Sequence, residues 1–68
     1  MHIIFPNSMN SGVELLILRK NILDWSQRSG IGYCDYCCDH GWAVELPTLQ
    51  HYSQFVLQWE HENFYIAG

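Results

Sequence analysis

Ile31-Gly32-Tyr33-Cys34-Asp35-Tyr36-Cys37-Cys38-Asp39-His40-Gly41-Trp42-Ala43-Val44-Glu45-Leu46 decides the architecture of this chain. Two strand-length runs, 31–37 and 42–46, flank the turn-favouring segment Cys38-Asp39-His40-Gly41, which is the signature of a β-hairpin. Trp42, Val44 and Leu46 alternate, so they share one face of their strand and call for burial. The expected register pairs Cys37 with Gly41 across a three-residue loop, which sets Tyr36 opposite Trp42 and Cys34 opposite Val44 in the core. Tyr33, Asp35 and Glu45 are then expected on the other, uncovered face.

On the N-terminal side, Ser11-Gly12-Val13-Glu14 has the form of a capping box, with Ser11 as N-cap and Glu14 three residues on. Leu15, Leu18, Ile22 and Trp25 follow at helical spacing to about Arg28, flanked by Leu16 and Leu23. Asp24 and Arg28 can pair at i,i+4, and Ser29-Gly30 ends the helix. The competing reading makes Val13 to Leu18 a strand, because β-branched and leucine residues cluster there.

On the C-terminal side, Pro47-Thr48 opens a second helix with Thr48 as N-cap. Leu49, Tyr52, Val56 and Trp59 form its expected apolar stripe with Phe55 alongside, while His51, Gln54, Gln58 and His61 share the polar face. His2 to Phe5 reads as a strand stopped by Pro6, and Phe64 to Ala67 as a closing strand. The order βαββαβ predicts an α+β, ferredoxin-like domain over residues 1–68, with both helices on one face of a four-stranded antiparallel sheet. That arrangement hosts many unrelated functions and implies none.

Composition narrows the function classes. Half of the 68 residues are apolar and only 15% are charged, unlike a disordered chain. Arg19, Lys20 and Arg28 are the only Lys or Arg residues, whereas Asp35, Asp39, Glu45, Glu60 and Glu62 follow without compensation. Lys and Arg contacts to phosphate supply most nonspecific nucleic-acid affinity, so direct nucleic-acid binding is disfavoured and a basic protein surface fits better. No apolar run approaches the ~18 residues of a membrane span, and the start lacks a signal-peptide pattern, so the expected compartment is the cytoplasm. There Cys34, Cys37 and Cys38 stay reduced, as thiols or metal ligands.

Cys34, Cys37, Cys38 and His40 offer thiolate and imidazole at C-x2-C spacing, the chemistry of a zinc site. Only one such pair is present, and the fourth ligand would have to come from His61, the histidine that the topology brings to the rim shared by the 6–11 loop and the 38–40 turn. The plainer reading has Cys34 as a small core residue, Cys37 and Cys38 as turn thiols, and His40 solvated. A small thiol enzyme would use Cys38 as nucleophile with His40 or His61 as base, but neighbours in a tight turn rarely point at one another and no separated triad is visible.

The leading expectation is a small acidic protein-binding module, a regulator or inhibitor that docks on a larger macromolecule such as a nucleic-acid-processing enzyme. By analogy alone, compact acidic chains serve mobile genetic elements against host factors of that kind. Its expected contacts are Tyr33, Asp35, Glu45 and Tyr65 on the uncovered sheet face and Asp39 and His40 on the rim. A homodimer through strand 31–37 is also expected, since that edge carries no Lys, Arg or Pro to block pairing, although Asp35 would approach its symmetry mate.

Overall fold

In the computed structural model, which describes all residues from Met1 to Gly68, α1 (Gly12–Ser29) begins at the capping box. Ser11 Oγ accepts from the Glu14 N–H at 3.1 Å and the Glu14 carboxylate accepts from the Ser11 N–H at 2.9 Å. Residues 13–18 are therefore helical rather than extended. Gly30, in the left-handed conformation at φ 76°, closes the helix by donating to Ser26, and Asp24 and Arg28 pair at 3.0 Å. Thr48 caps α2 (Leu49–Trp59), its Oγ1 accepting from the His51 N–H at 3.2 Å.

The strands are β1 (His2–Pro6), β2 (Cys34–Cys38), β3 (Gly41–Glu45) and β4 (Tyr65–Ala67), arranged antiparallel in the order β2-β3-β1-β4. With the element order βαββαβ, this is the ferredoxin-like α+β arrangement. Ile3 and Phe5 of β1 and Trp42 and Val44 of β3 meet Leu18 and Ile22 of α1 and Phe55 and Trp59 of α2 in one buried cluster. Phe5 lies 5.4 Å, ring to ring, from both Trp42 and Phe64, and Trp25 bridges the helices at 5.7 Å from Phe55 and 6.3 Å from Trp59. Each fully buried side chain contributes about 1.5–3 kcal/mol, and the partly buried Trp25 and Phe64 close over the edge of this cluster.

The hairpin register is one residue away from the expected one. Cys38 pairs with Gly41 across a two-residue loop, so Cys37 faces Trp42, Tyr36 faces Ala43, Asp35 faces Val44 and Cys34 faces Glu45. Because side chains alternate, this slip turns every residue of β2 over. Asp35 joins Trp42 and Val44 on the helix side, while Cys34, Tyr36 and Cys38 move to the uncovered side.

Two contacts account for the choice. Tyr33, not Tyr36, packs against the core, and Asp35 accepts a 2.9 Å hydrogen bond from Trp42 Nε1, which satisfies an otherwise buried donor. The turn itself is anchored by the Asn7 N–H donating to the His40 carbonyl at 2.9 Å. Gly41 has φ 150°, and a Cβ there would run into the Phe5 carbonyl oxygen and lie 3.0 Å from Asn7 N, so this position requires glycine.

The stripe of α2 is also rotated from expectation. Phe55 and Trp59 are buried with His51 and Tyr52 half-buried beside them, whereas Leu49 is 71% exposed. At roughly 100° per residue Leu49 stands about 120° around the helix from Phe55, and His51 takes the inward place.

Candidate functional site

The sheet face that the helices leave open is built by alternate residues of all the strands: His2, Ile4 and Pro6 of β1, Ala43 and Glu45 of β3, Cys34, Tyr36 and Cys38 of β2, and Tyr65 of β4. Ile4 and Ala43 form a buried apolar floor, and the larger polar and aromatic side chains stand around it. His2 Nδ1 lies 2.7 Å from both the Tyr36 hydroxyl and Glu45 Oε1, and the His2 and Tyr36 rings meet edge to face at 6.0 Å. With Nδ1 protonated, its one hydrogen is shared between the carboxylate and the phenol oxygen. The Tyr36 hydroxyl is pushed up from its ordinary pKa, first by partial loss of water and then by the negative charge of Glu45, with smaller contributions from Cys38 and Tyr52.

The basic side chains are confined to the helical side of the molecule, where Glu14, Asp24 and Asp35 accompany them. Arg19, Lys20 and Arg28 all belong to α1, so the open face holds Glu45 and no Lys or Arg. Asp39 and His40 stand at one end of that face, in the exposed turn beside Tyr65 and the Pro6–Met9 segment. Asn10, buried at this rim, donates to the carbonyls of Pro6 at 3.1 Å and Asn63 at 3.0 Å, tying the 6–11 loop to the chain beyond α2 as expected.

The expected site residues thus divide. Glu45 and Tyr65 lie on the open face, and Asp39 and His40 on the rim, where the sequence placed them. Tyr33 and Asp35 do not lie on the open face. They line a groove between α1 and the edge strand β2, with Leu16, Arg19, Lys20, Leu23 and Trp42. Arg19 stands 3.7 Å from Asp35 Oδ2 and 5.6 Å from the centre of the Trp42 ring. The Tyr33 hydroxyl is raised in pKa by partial burial and by the Asp35 charge, against the opposing effect of Arg19.

The three cysteines are free. Cys34 and Cys38 share the open face but are four positions apart along one strand, about 13 Å, and Cys37 points to the other side. No hydrogen bond joins Cys38 to His40 or His61, and His61 sits beyond α2, 3.6 Å from Glu62 and with its ring 6.5 Å from that of Trp59. No three His, Cys, Asp or Glu side chains converge on one point.

His2, Tyr36 and Cys34 are members of the open face that the sequence reading missed. The signal was the pair Tyr33 and Tyr36, which have opposite parity in one strand, so that seating Tyr33 in the core sends Tyr36 out. No helix is long and apolar enough to cross a membrane. No family model, curated protein or solved structure matches the chain.

Proposed function

We propose that this domain is a small acidic protein-binding module, a regulator or inhibitor whose open sheet face docks on a basic patch of a larger protein. The observation that carries the reading is an aromatic face without Lys or Arg: all three basic residues lie on α1, while the opposite face presents His2, Tyr36, Glu45 and Tyr65. Aromatic side chains supply contact area at low entropic cost, and the single-sign charge steers the encounter and fixes its sense. Enzymes that act on nucleic acid carry basic surfaces, so they are the partner class this face complements. Direct binding of nucleic acid lacks support, because phosphate neutralisation needs the Lys and Arg that this face does not have.

The test is affinity capture on the immobilised domain, followed by quantitative binding of the captured protein. The partner should carry a basic surface, release with rising salt, and bind at least tenfold more weakly to Glu45→Lys. Leu57→Ser, on the outer side of α2, should bind like the parent. A partner insensitive to Glu45→Lys and to salt but lost with Leu57→Ser would place binding in the apolar groove between α2 and β4 and overturn the reading.

A further inference from the structure

We infer that the free edge of β2 and the outer flank of α1 together form a self-complementary surface for a second copy of this chain, with a two-fold axis passing through Tyr36. The inference is independent of the open-face reading above.

β2 is a terminal strand of the sheet, five residues long, with no Lys, Arg or Pro along it, so its outward backbone groups are unprotected against pairing. The helix beside that edge is apolar on the wrong side for a solvated surface. Leu16 and Leu23 are 65% and 50% exposed, and both line the groove above Tyr33 and Asp35. Lys20 lines the same groove and has no acidic partner within its own chain, whereas Arg19 already stands by Asp35. An edge-to-edge neighbour brings a second α1 to the opposite side of the seam, where the leucines of the two copies meet and Lys20 of each faces Asp35 of the other.

Chemistry also selects the register. For the helices of both copies to lie on one side of a continuous sheet, paired residue numbers must sum to an even value. A two-fold axis at Asp35 sets two carboxylates face to face, and one at Cys37 sets Asp35 against Asp39 of the second copy, both unfavourable. The axis at Tyr36 uses all five strand residues, stacks the two tyrosines on the open face, and pairs Asp35 with Cys37 of the second copy. It therefore removes the like-charge contact that the sequence alone suggests for such a dimer. The same register sets Cys34 directly opposite Cys38 of the second copy. Cross-strand Cα separations of about 4.5–5.5 Å are within the span of a disulfide. The β4 edge offers no such selection, because it is three residues long and the groove beside it contains no charged side chain.

Disulfide trapping reads this register. In a Cys37→Ser background, diamide should take two electrons and two protons from each Cys34–Cys38 pair and yield a covalent dimer on a non-reducing gel. Adding Cys34→Ser or Cys38→Ser should abolish the dimer in each variant alone, and mixing the two variants should restore it. Sedimentation of the parent should show a reversible dimer whose dissociation constant rises at least tenfold in the Leu16→Glu, Leu23→Glu variant, with circular dichroism confirming an unchanged fold. A parent that remains monomeric at every concentration, a cross-link that persists with a single cysteine, or a dimer indifferent to the two leucine changes would overturn the proposal.

Discussion

Replacing Gly41 with Ala should be the most damaging small substitution in the molecule. Gly41 has φ 150°, and the added Cβ would be driven into the Phe5 carbonyl oxygen at the point where β1, β3 and the hairpin turn meet. A non-glycine residue held in a sparsely populated backbone region costs about 1–3 kcal/mol. Relieving the clash must also move the pairing of Pro6 with Gly41, so at least about 2 kcal/mol is expected from the two effects together. A chain of this length has only about 3–10 kcal/mol of stability. Thermal unfolding followed by circular dichroism should therefore show a midpoint lowered by roughly 8 °C or more, at about 4–8 °C per kcal/mol. Gly32→Ala is the control, since no atom lies within 4 Å of its added Cβ and its φ is negative, and it should be neutral or stabilising by about 0.4–1 kcal/mol. A Gly41→Ala protein that melts within about 3 °C of the parent would refute the two-residue turn and the face assignment that depends on it.

Asp35→Ala should cost about 1–2 kcal/mol in urea unfolding by orphaning the buried Trp42 indole N–H, whereas Asp35→Asn keeps an acceptor and should stay within about 0.5 kcal/mol of the parent. The hydrogen bonds from the Ser11 backbone and side chain hold the Glu14 carboxyl below its ordinary pKa. Its contribution is thus complete above the unfolded-state value and drains away as pH falls through the lowered one, so Glu14→Gln should flatten the acid limb of the stability profile. Tyr36 has the opposite sign: its raised pKa favours the neutral hydroxyl in the fold, so its contribution is lost as pH rises through that value. Ultraviolet titration should show two late-ionising tyrosines, Tyr33 and Tyr36, and Tyr36→Phe should remove one of them; a late-ionising amplitude left unchanged by that substitution would show that the Tyr36 hydroxyl is not shielded from water on the open face.

Most of the architecture was legible because it rests on local chemistry. Ser11 with Glu14, Gly30, and Thr48 mark helix boundaries through hydrogen bonds made within a few residues, and the strands follow from runs between turns. The register of β2 was not legible in the same way. Strand 34–38 offers Tyr, Asp and Cys rather than a strict apolar alternation, so its phase is decided by long-range contacts, the Asp35–Trp42 hydrogen bond and the seating of Tyr33. That single slip explains why Glu45 and Tyr65 were placed correctly while Tyr33 and Asp35 were exchanged for Tyr36 and Cys34. His2 was unreadable for a related reason, since its role depends on two residues that only the sheet brings to it.

The most direct measurement is photo-crosslinking of the domain to its captured partner from two opposed positions, with a benzophenone amino acid in place of Tyr65 on the open face or of Ile17 on the outer face of α1. Tyr65 is 43% exposed and Ile17 58%, so both can carry the probe without disturbing the core. Binding through the open face predicts a single adduct from position 65, diminished by Glu45→Lys, and none from position 17. An adduct from position 17 alone would contradict it and move the binding surface to the helical side.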